Sequence, residues 1–237
     1  MPPSPAKRAA AREFASVLAR AIPEPRCELR HDGPWQLLVA TILSAQCTDE
    51  RVNAITPALF RRCPTPAALA AAKLSEVERV VRSTGFYRNK ARAIVGASRE
   101  ICVRFGGEVP RAIEDAVSLP GVARKTANLV LGTGLGIPSG IVVDTHVGRV
   151  ARRLGLSEAE APAAVERDLC ALFPRAQWID VGHRLLLHGR VACVAREPRC
   201  TACPLAEDCP SATGSPEGAR RAREVAEAAL VATRGEG

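Results

Sequence analysis

Lys125 is the side chain with which this sequence could do covalent chemistry. Lys125 lies in Leu119–Leu131, which reads L-P-G-V-A-R-K-T-A-N-L-V-L. A Pro-Gly turn followed by a polar and then apolar run predicts a tight hairpin opening directly into a helix. The lysine falls in that helix's first turn, where the partial positive charge of the helix end favours a neutral amine over an ammonium. A neutral amine is a nucleophile. The hairpin's outward backbone N–H groups form a ready anion site, and in a basic chain the anion is a phosphate. Asp144 follows nineteen residues later in Val143-Asp144-Thr145-His146, placed as the N-cap of a helix running to about Leu154.

A second chemistry belongs to sulfur. Cys193, Cys200, Cys203 and Cys209 crowd into seventeen residues, separated by six, two and five. Four thiolates supply the soft anionic ligands that tetrahedral zinc and a four-iron cluster both require. Zinc ribbons generally use two short cysteine pairs and this loop has one, so the spacing favours iron–sulfur, with zinc as the alternative. Cys27, Cys47, Cys63, Cys102 and Cys170 are scattered through apolar or helical contexts and read as reduced, buried thiols. His146, His183 and His188 read as structural. Only four of the 33 basic residues are lysine (Lys7, Lys73, Lys90 and Lys125), so each lysine is a mild hint of chemistry that arginine cannot do.

The elements that position these residues are helical. Phe14, Val17, Leu18 and Ile22 recur at helical spacing until Pro23 and Pro25. Pro34 opens the next helix, with Trp35, Leu38, Val39, Ile42 and Leu43 on one face. It runs into the polar stretch Ser44–Asp49. Helices are expected around 50–61, 66–72, 75–83 and 88–105, with Gly85-Phe86-Tyr87 as a loop. Gly132–Gly140 reads as turn, Ile141–Val143 as extended chain, and further helices are expected near 158–173 and 176–189. With no repeat and no alternation long enough for a sheet, the fold class is all-α. Residues 1–8 read as a disordered N-terminus, and Ala219–Thr233 as a loosely attached helical tail.

The chain's 237 residues and 47% hydrophobic content suffice for one large or two small domains with a real core. No apolar run approaches about 18 residues and Met1–Arg8 lacks a signal-peptide pattern. A soluble, cytoplasmic and nucleoid-associated protein is expected. A net charge of +8 calls for a polyanionic partner, and between Arg79 and Arg104 seven basic residues face one acid, Glu100.

The hairpin with Lys125, the Val143–His146 stretch and the cysteine spacing, in this order, resemble the endonuclease III branch of the helix-hairpin-helix DNA glycosylases. The resemblance spans about residues 10–210. It implies that Lys125 attacks the sugar carbon bearing a damaged base, and that Asp144 assists the lysine and stabilises positive charge on the sugar. Gly121, Val122 and Ala123 would grip a DNA phosphate. Gln46 would fill the gap left by the extruded nucleotide, and Phe86 would stand where the family usually has a leucine wedge. Cys193, Cys200, Cys203 and Cys209 would hold a 4Fe-4S cluster. The implied architecture is two-lobed, with a C-terminal iron–sulfur cluster loop. Residues 28–138 form a helical domain carrying the hairpin, 9–27 plus 139–212 the cluster domain, and 213–237 a tail. Lys125 and Asp144 would face one another across the cleft.

The implied function is that of a bifunctional glycosylase and abasic-site lyase, acting as a monomer on double-stranded DNA with oxidised pyrimidines or abasic sites. One alternative is a mismatch adenine glycosylase of the same fold, which usually lacks the lysine. The other is a non-catalytic iron–sulfur DNA-binding module. Three positions depart from the family pattern. Phe86 replaces leucine, Ala123 replaces a glycine and would restrict the backbone of the phosphate grip, and Glu197 stands in a loop that is usually basic.

Overall fold

A computed structural model of the chain describes residues 2–212, so the expected tail helix lies outside the described residues. Among the described residues there is no strand, and the chain divides into two compact units. A middle unit comprises Arg26–Ser139, and a terminal unit comprises the chain up to Pro25 and from Gly140 onward.

The terminal unit begins with α1 (Pro5–Ala21), earlier than the disordered stretch 1–8 allowed. Ser4 supplies the cap, its hydroxyl accepting from the Lys7 N–H at 3.2 Å, and Pro5 occupies the first turn where a missing N–H costs nothing. Phe14 and Leu18 of α1 are buried with Ile141, Val147, Val150, Leu156, Leu169 and Leu185 in one core. That burial is why an N-terminal helix belongs to the C-terminal half. Arg184 adds a polar tie, donating to the Ile22 carbonyl at 3.0 Å just past the end of α1.

In the middle unit α2 (Pro34–Leu43) is buried at every position from Leu37 to Leu43, and at Trp35. The sequence pattern assigned it one apolar face; it is instead apolar nearly all round because its neighbours surround it. Those packed against it are α3 (Asp49–Arg62), α6 (Tyr87–Phe105), α8 (Arg124–Leu129) and the segment Val130–Gly134; α4 (Pro66–Ala71), α5 (Leu74–Val81), a 3-10 turn at Arg82–Thr84 and α7 (Ile113–Val117) complete the unit. Trp35 packs at 5.5 Å on Phe60 and donates its indole N–H to the buried Ser98 hydroxyl at 3.1 Å, so the polar edge of a core aromatic is satisfied.

Beyond α8 the chain winds as a π-helix over Val130–Gly134, which extends into the stretch Gly132–Gly140 expected as turn. Gly134 faces the start of α2, and a Cβ there would stand 3.0 Å from the Pro34 Cα, so close approach of two backbones selects glycine. The terminal unit resumes with extended chain at Ile141–Val143, then α9 (Thr145–Arg153), α10 (Pro162–Leu172) and α11 (Trp178–Val191). No helix among the described residues is long and apolar enough to cross a membrane.

Candidate functional residues in the two units

The hairpin of the middle unit joins α7 to α8. The Val122 N–H closes the turn on the Leu119 carbonyl at 3.1 Å, and Leu119 and Val122 are buried as its apolar anchors. Gly121 has φ +76°, and a Cβ there would lie 2.6 Å from the Ala93 Cβ of α6. Both the left-handed backbone and the tight seat on α6 therefore require glycine. Ala123 has φ −82° and ψ 165°, an extended conformation open to any residue. The restriction expected from its Cβ does not arise. Lys125, in the first turn of α8, is exposed and makes no hydrogen bond or ion pair with the described residues.

Gln46 and Phe86 occupy two turns of the same unit. Both are exposed, Phe86 to 67%, although a phenylalanine is by default a core residue. Both are left-handed, at φ +53° and +45°, a region in which a non-glycine residue costs on the order of 1–3 kcal/mol. The surrounding bonds hold them there. Cys47 N–H donates to the Ser44 carbonyl at 3.0 Å, and the Phe86 carbonyl accepts from Asn89 and Lys90 N–H at 3.0 and 3.1 Å.

Between these turns lies Lys90, which sequence reasoning marked only by its rarity. It is 5% exposed, and its Nζ donates to the Leu43 carbonyl at 2.8 Å and the Thr84 carbonyl at 2.6 Å. Burial lowers its pKa below the ordinary lysine value, with the neighbouring Cys47 thiol acting in the opposite direction.

In the terminal unit Asp144 is the N-cap of α9, with Oδ1 accepting from the Val147 N–H at 2.8 Å. The cap uses one of two carboxylate oxygens, and the residue is half-buried. The four clustered cysteines line a single cavity with Arg153, Leu154 and His188. Burial pushes the Cys203 and Cys209 thiols up, opposed by backbone hydrogen bonds at Leu205 and Ser211 and reinforced by the charge of neighbouring thiols. Buried thiols of this kind are costly as bare thiolates, a cost that a cationic centre would offset. Among the described residues no group of three or more His, Cys, Asp or Glu is arranged to hold a metal ion.

Arg153 was not found from sequence. Its Nη1 donates to Cys193 Sγ at 3.3 Å and to the Val194 carbonyl at 2.8 Å, its Nη2 to the Ala195 carbonyl at 3.0 Å, and its own carbonyl lies 3.7 Å from Cys209 Sγ. One α9 side chain thus holds the first arm of the cysteine loop. Arg149, one turn earlier, donates to the Cys193 and Gly189 carbonyls at 3.0 and 2.8 Å. Only contacts some forty residues away reveal either role. Glu197 adopts φ +52° in this loop and is exposed between exposed Arg196 and Arg199. Of the five scattered cysteines, Cys63 is buried; Cys27, Cys47, Cys102 and Cys170 are half-buried, so the expectation of buried thiols holds in full only at Cys63.

The middle unit therefore carries the hairpin, Lys125, Gln46 and Phe86, and the terminal unit carries Asp144 and the cysteines. A glycine-turned hairpin enters a lysine-bearing helix, and the described residues form helices and loops with no strand. The chain belongs to the HhH-GPD superfamily of base excision DNA repair proteins, whose model matches residues 39–175. It is 51% identical to endonuclease III of Synechocystis sp. over 209 residues, covering 88% of this chain and 95% of that protein. It is 45% identical to endonuclease III of Bacillus subtilis over 188 residues, covering 79% and 85%. A solved structure of a trapped endonuclease III–DNA covalent intermediate superposes with a TM-score of 0.81 at 40% identity, covering 91% of this chain and 98% of that one.

Proposed function

We propose that the chain is a bifunctional DNA glycosylase and abasic-site lyase of base excision repair, that Lys125 is its nucleophile, and that oxidised pyrimidines are its substrates. The observation that carries this reading is Lys125 itself, exposed on the first turn of a helix that a glycine hairpin presents. A glycosylase that activates only water has no need of an amine there.

A base within a stacked duplex is out of reach, so the nucleotide must be extruded, at a cost of a few kcal/mol that is smallest at damaged pairs. Gln46 and Phe86 fill the space it leaves. The backbone N–H groups at Gly121, Val122 and Ala123 hold a phosphate. With DNA bound, the Lys125 amine loses its water. Its lone pair then forms a bond to the sugar C1′ as the C1′–base bond breaks, and the base departs with that electron pair and a proton. Opening of the sugar ring gives an iminium. Loss of the C2′ proton sends electrons toward the iminium and expels the 3′ phosphate, and water then releases the lysine. Asp144 takes up the amine proton and offsets positive charge on the sugar.

We assign a 4Fe-4S cluster to Cys193, Cys200, Cys203 and Cys209. Supporting this are the shared cavity and the Arg153 N–H aimed at Cys193 Sγ, the kind of donor that accompanies cluster thiolates. When bound, such a cluster supplies Fe–S bonds that fasten the loop and a one-electron couple.

The deciding assay uses a duplex with one thymine glycol. Release of the base with scission on its 3′ side is expected. Base release without scission indicates a monofunctional enzyme, and binding with neither product indicates a DNA-binding module. Removal of adenine from mismatches in preference to thymine glycol indicates the adenine glycosylase.

A further inference from the structure

Two turns that are expected to enter DNA are strained, exposed and separate in sequence, so something in the fold must hold them in register. The Leu43 carbonyl belongs to the last turn of α2, three residues before Gln46; the Thr84 carbonyl ends the 3-10 turn, two residues before Phe86. Carbonyls at helix ends lack intrahelical partners and carry partial negative charge. Both point at one buried ammonium, that of Lys90 on α6.

We propose that Lys90 is a positioning residue for the extrusion step: by bonding both carbonyls it fixes the separation and aim of Gln46 and Phe86. This rests on the reading of those two residues as the fillers of the space vacated by the extruded nucleotide. The Gln46 turn is tied to α6 more closely than its sequence distance suggests. The Phe86 carbonyl caps α6 through the Lys90 N–H itself, so one residue touches the Phe86 turn at its backbone and joins it to the Gln46 turn through its side chain. The chemistry also explains a lysine in a chain that otherwise uses arginine. Two carbonyls converging on a point within the fold suit a compact ammonium with rotatable donors and not a planar guanidinium, whose donors are fixed in a fork. Glutamine at φ +53° and phenylalanine at φ +45° stay in place only while their turns are over-determined, and Lys90 supplies that constraint.

The role is separable from catalysis because an abasic site has no base to extrude. The test compares, on the full-length cluster-containing protein, single-turnover excision of thymine glycol from duplex DNA with borohydride trapping at a preformed abasic site. Lys90→Met is expected to slow excision about tenfold or more while trapping changes less than about twofold. Lys90→Arg, which keeps the charge and loses the geometry, is expected to behave like Lys90→Met. Gln46→Ala and Phe86→Ala should lower the ratio of excision to trapping in the same direction. Leu69→Ala, a core truncation of the same unit, lowers stability without it when the proteins are compared equally far below their Tm. If Lys90→Met yields no folded protein, Lys90→Gln, which retains two N–H donors, carries the same expectation. A normal ratio of the two activities in the Lys90 variants, with altered ratios in Gln46→Ala and Phe86→Ala, overturns the clamp. So does an equal fall in both activities. Normal ratios in Gln46→Ala and Phe86→Ala overturn the reading on which it rests, and the clamp with it.

Discussion

Burial disfavours the imidazolium of His183, with the Asp180 carboxylate acting in the opposite direction. The folded chain therefore holds this proton less readily than the unfolded chain, and stability rises with pH between the lowered folded value and about 6.5. Expressed as a loss, stability falls as pH drops below about 6.5 until the folded-state value is passed. His183→Gln is expected to show a smaller difference in Tm between about pH 7.5 and 5.5 than the unaltered protein; an equal or larger difference contradicts the assignment. Residue identity and spacing made Lys125, Asp144 and the cysteines readable in the sequence, because each lies in a short motif with its own local geometry. Lys90 and Arg153 were not readable as positioning groups. The bonds that define them reach across 47 residues, to Leu43, and 40, to Cys193.

The hairpin shows how an element constrains its residues. At Gly121 a Cβ meets both an unfavourable backbone, φ +76°, and the Ala93 side chain at 2.6 Å. Gly121→Ala is expected to cost about 1–3 kcal/mol and to lower Tm by several degrees. A Tm within about 1 °C of the unaltered protein would contradict the geometry. At Ala123, two residues on, the backbone is extended and ordinary. Ala123→Gly is therefore expected to lose about 0.5–1 kcal/mol by freeing the unfolded chain, with no gain in DNA affinity in a binding titration. Helix starts at Pro34, Pro66 and Asp144 followed from proline and cap chemistry and could be read in advance. The burial of α2 on nearly all sides and the π-helix at Val130–Gly134 could not, because each depends on what packs against it.

At the scale of the molecule, two cores each draw on chain that is continuous in one case and split in the other, and the split is set by Phe14 and Leu18 of α1. A net charge of +8, together with the phosphate grip proposed for the hairpin, predicts salt-sensitive binding. Affinity for duplex DNA is expected to fall at least about tenfold between roughly 50 and 200 mM salt. Purified protein is expected to carry about four irons and a visible charge-transfer band, both lost in Cys203→Ala; a colourless, zinc-loaded and fully active protein contradicts the cluster assignment. The most direct measurement concerns Lys125. Borohydride reduces an iminium to a stable amine, so incubation with an abasic duplex should fix protein to DNA in a covalent adduct. Lys125→Gln is expected to bind the same duplex and form no adduct. An adduct of undiminished yield in Lys125→Gln would show that another amine carries the chemistry.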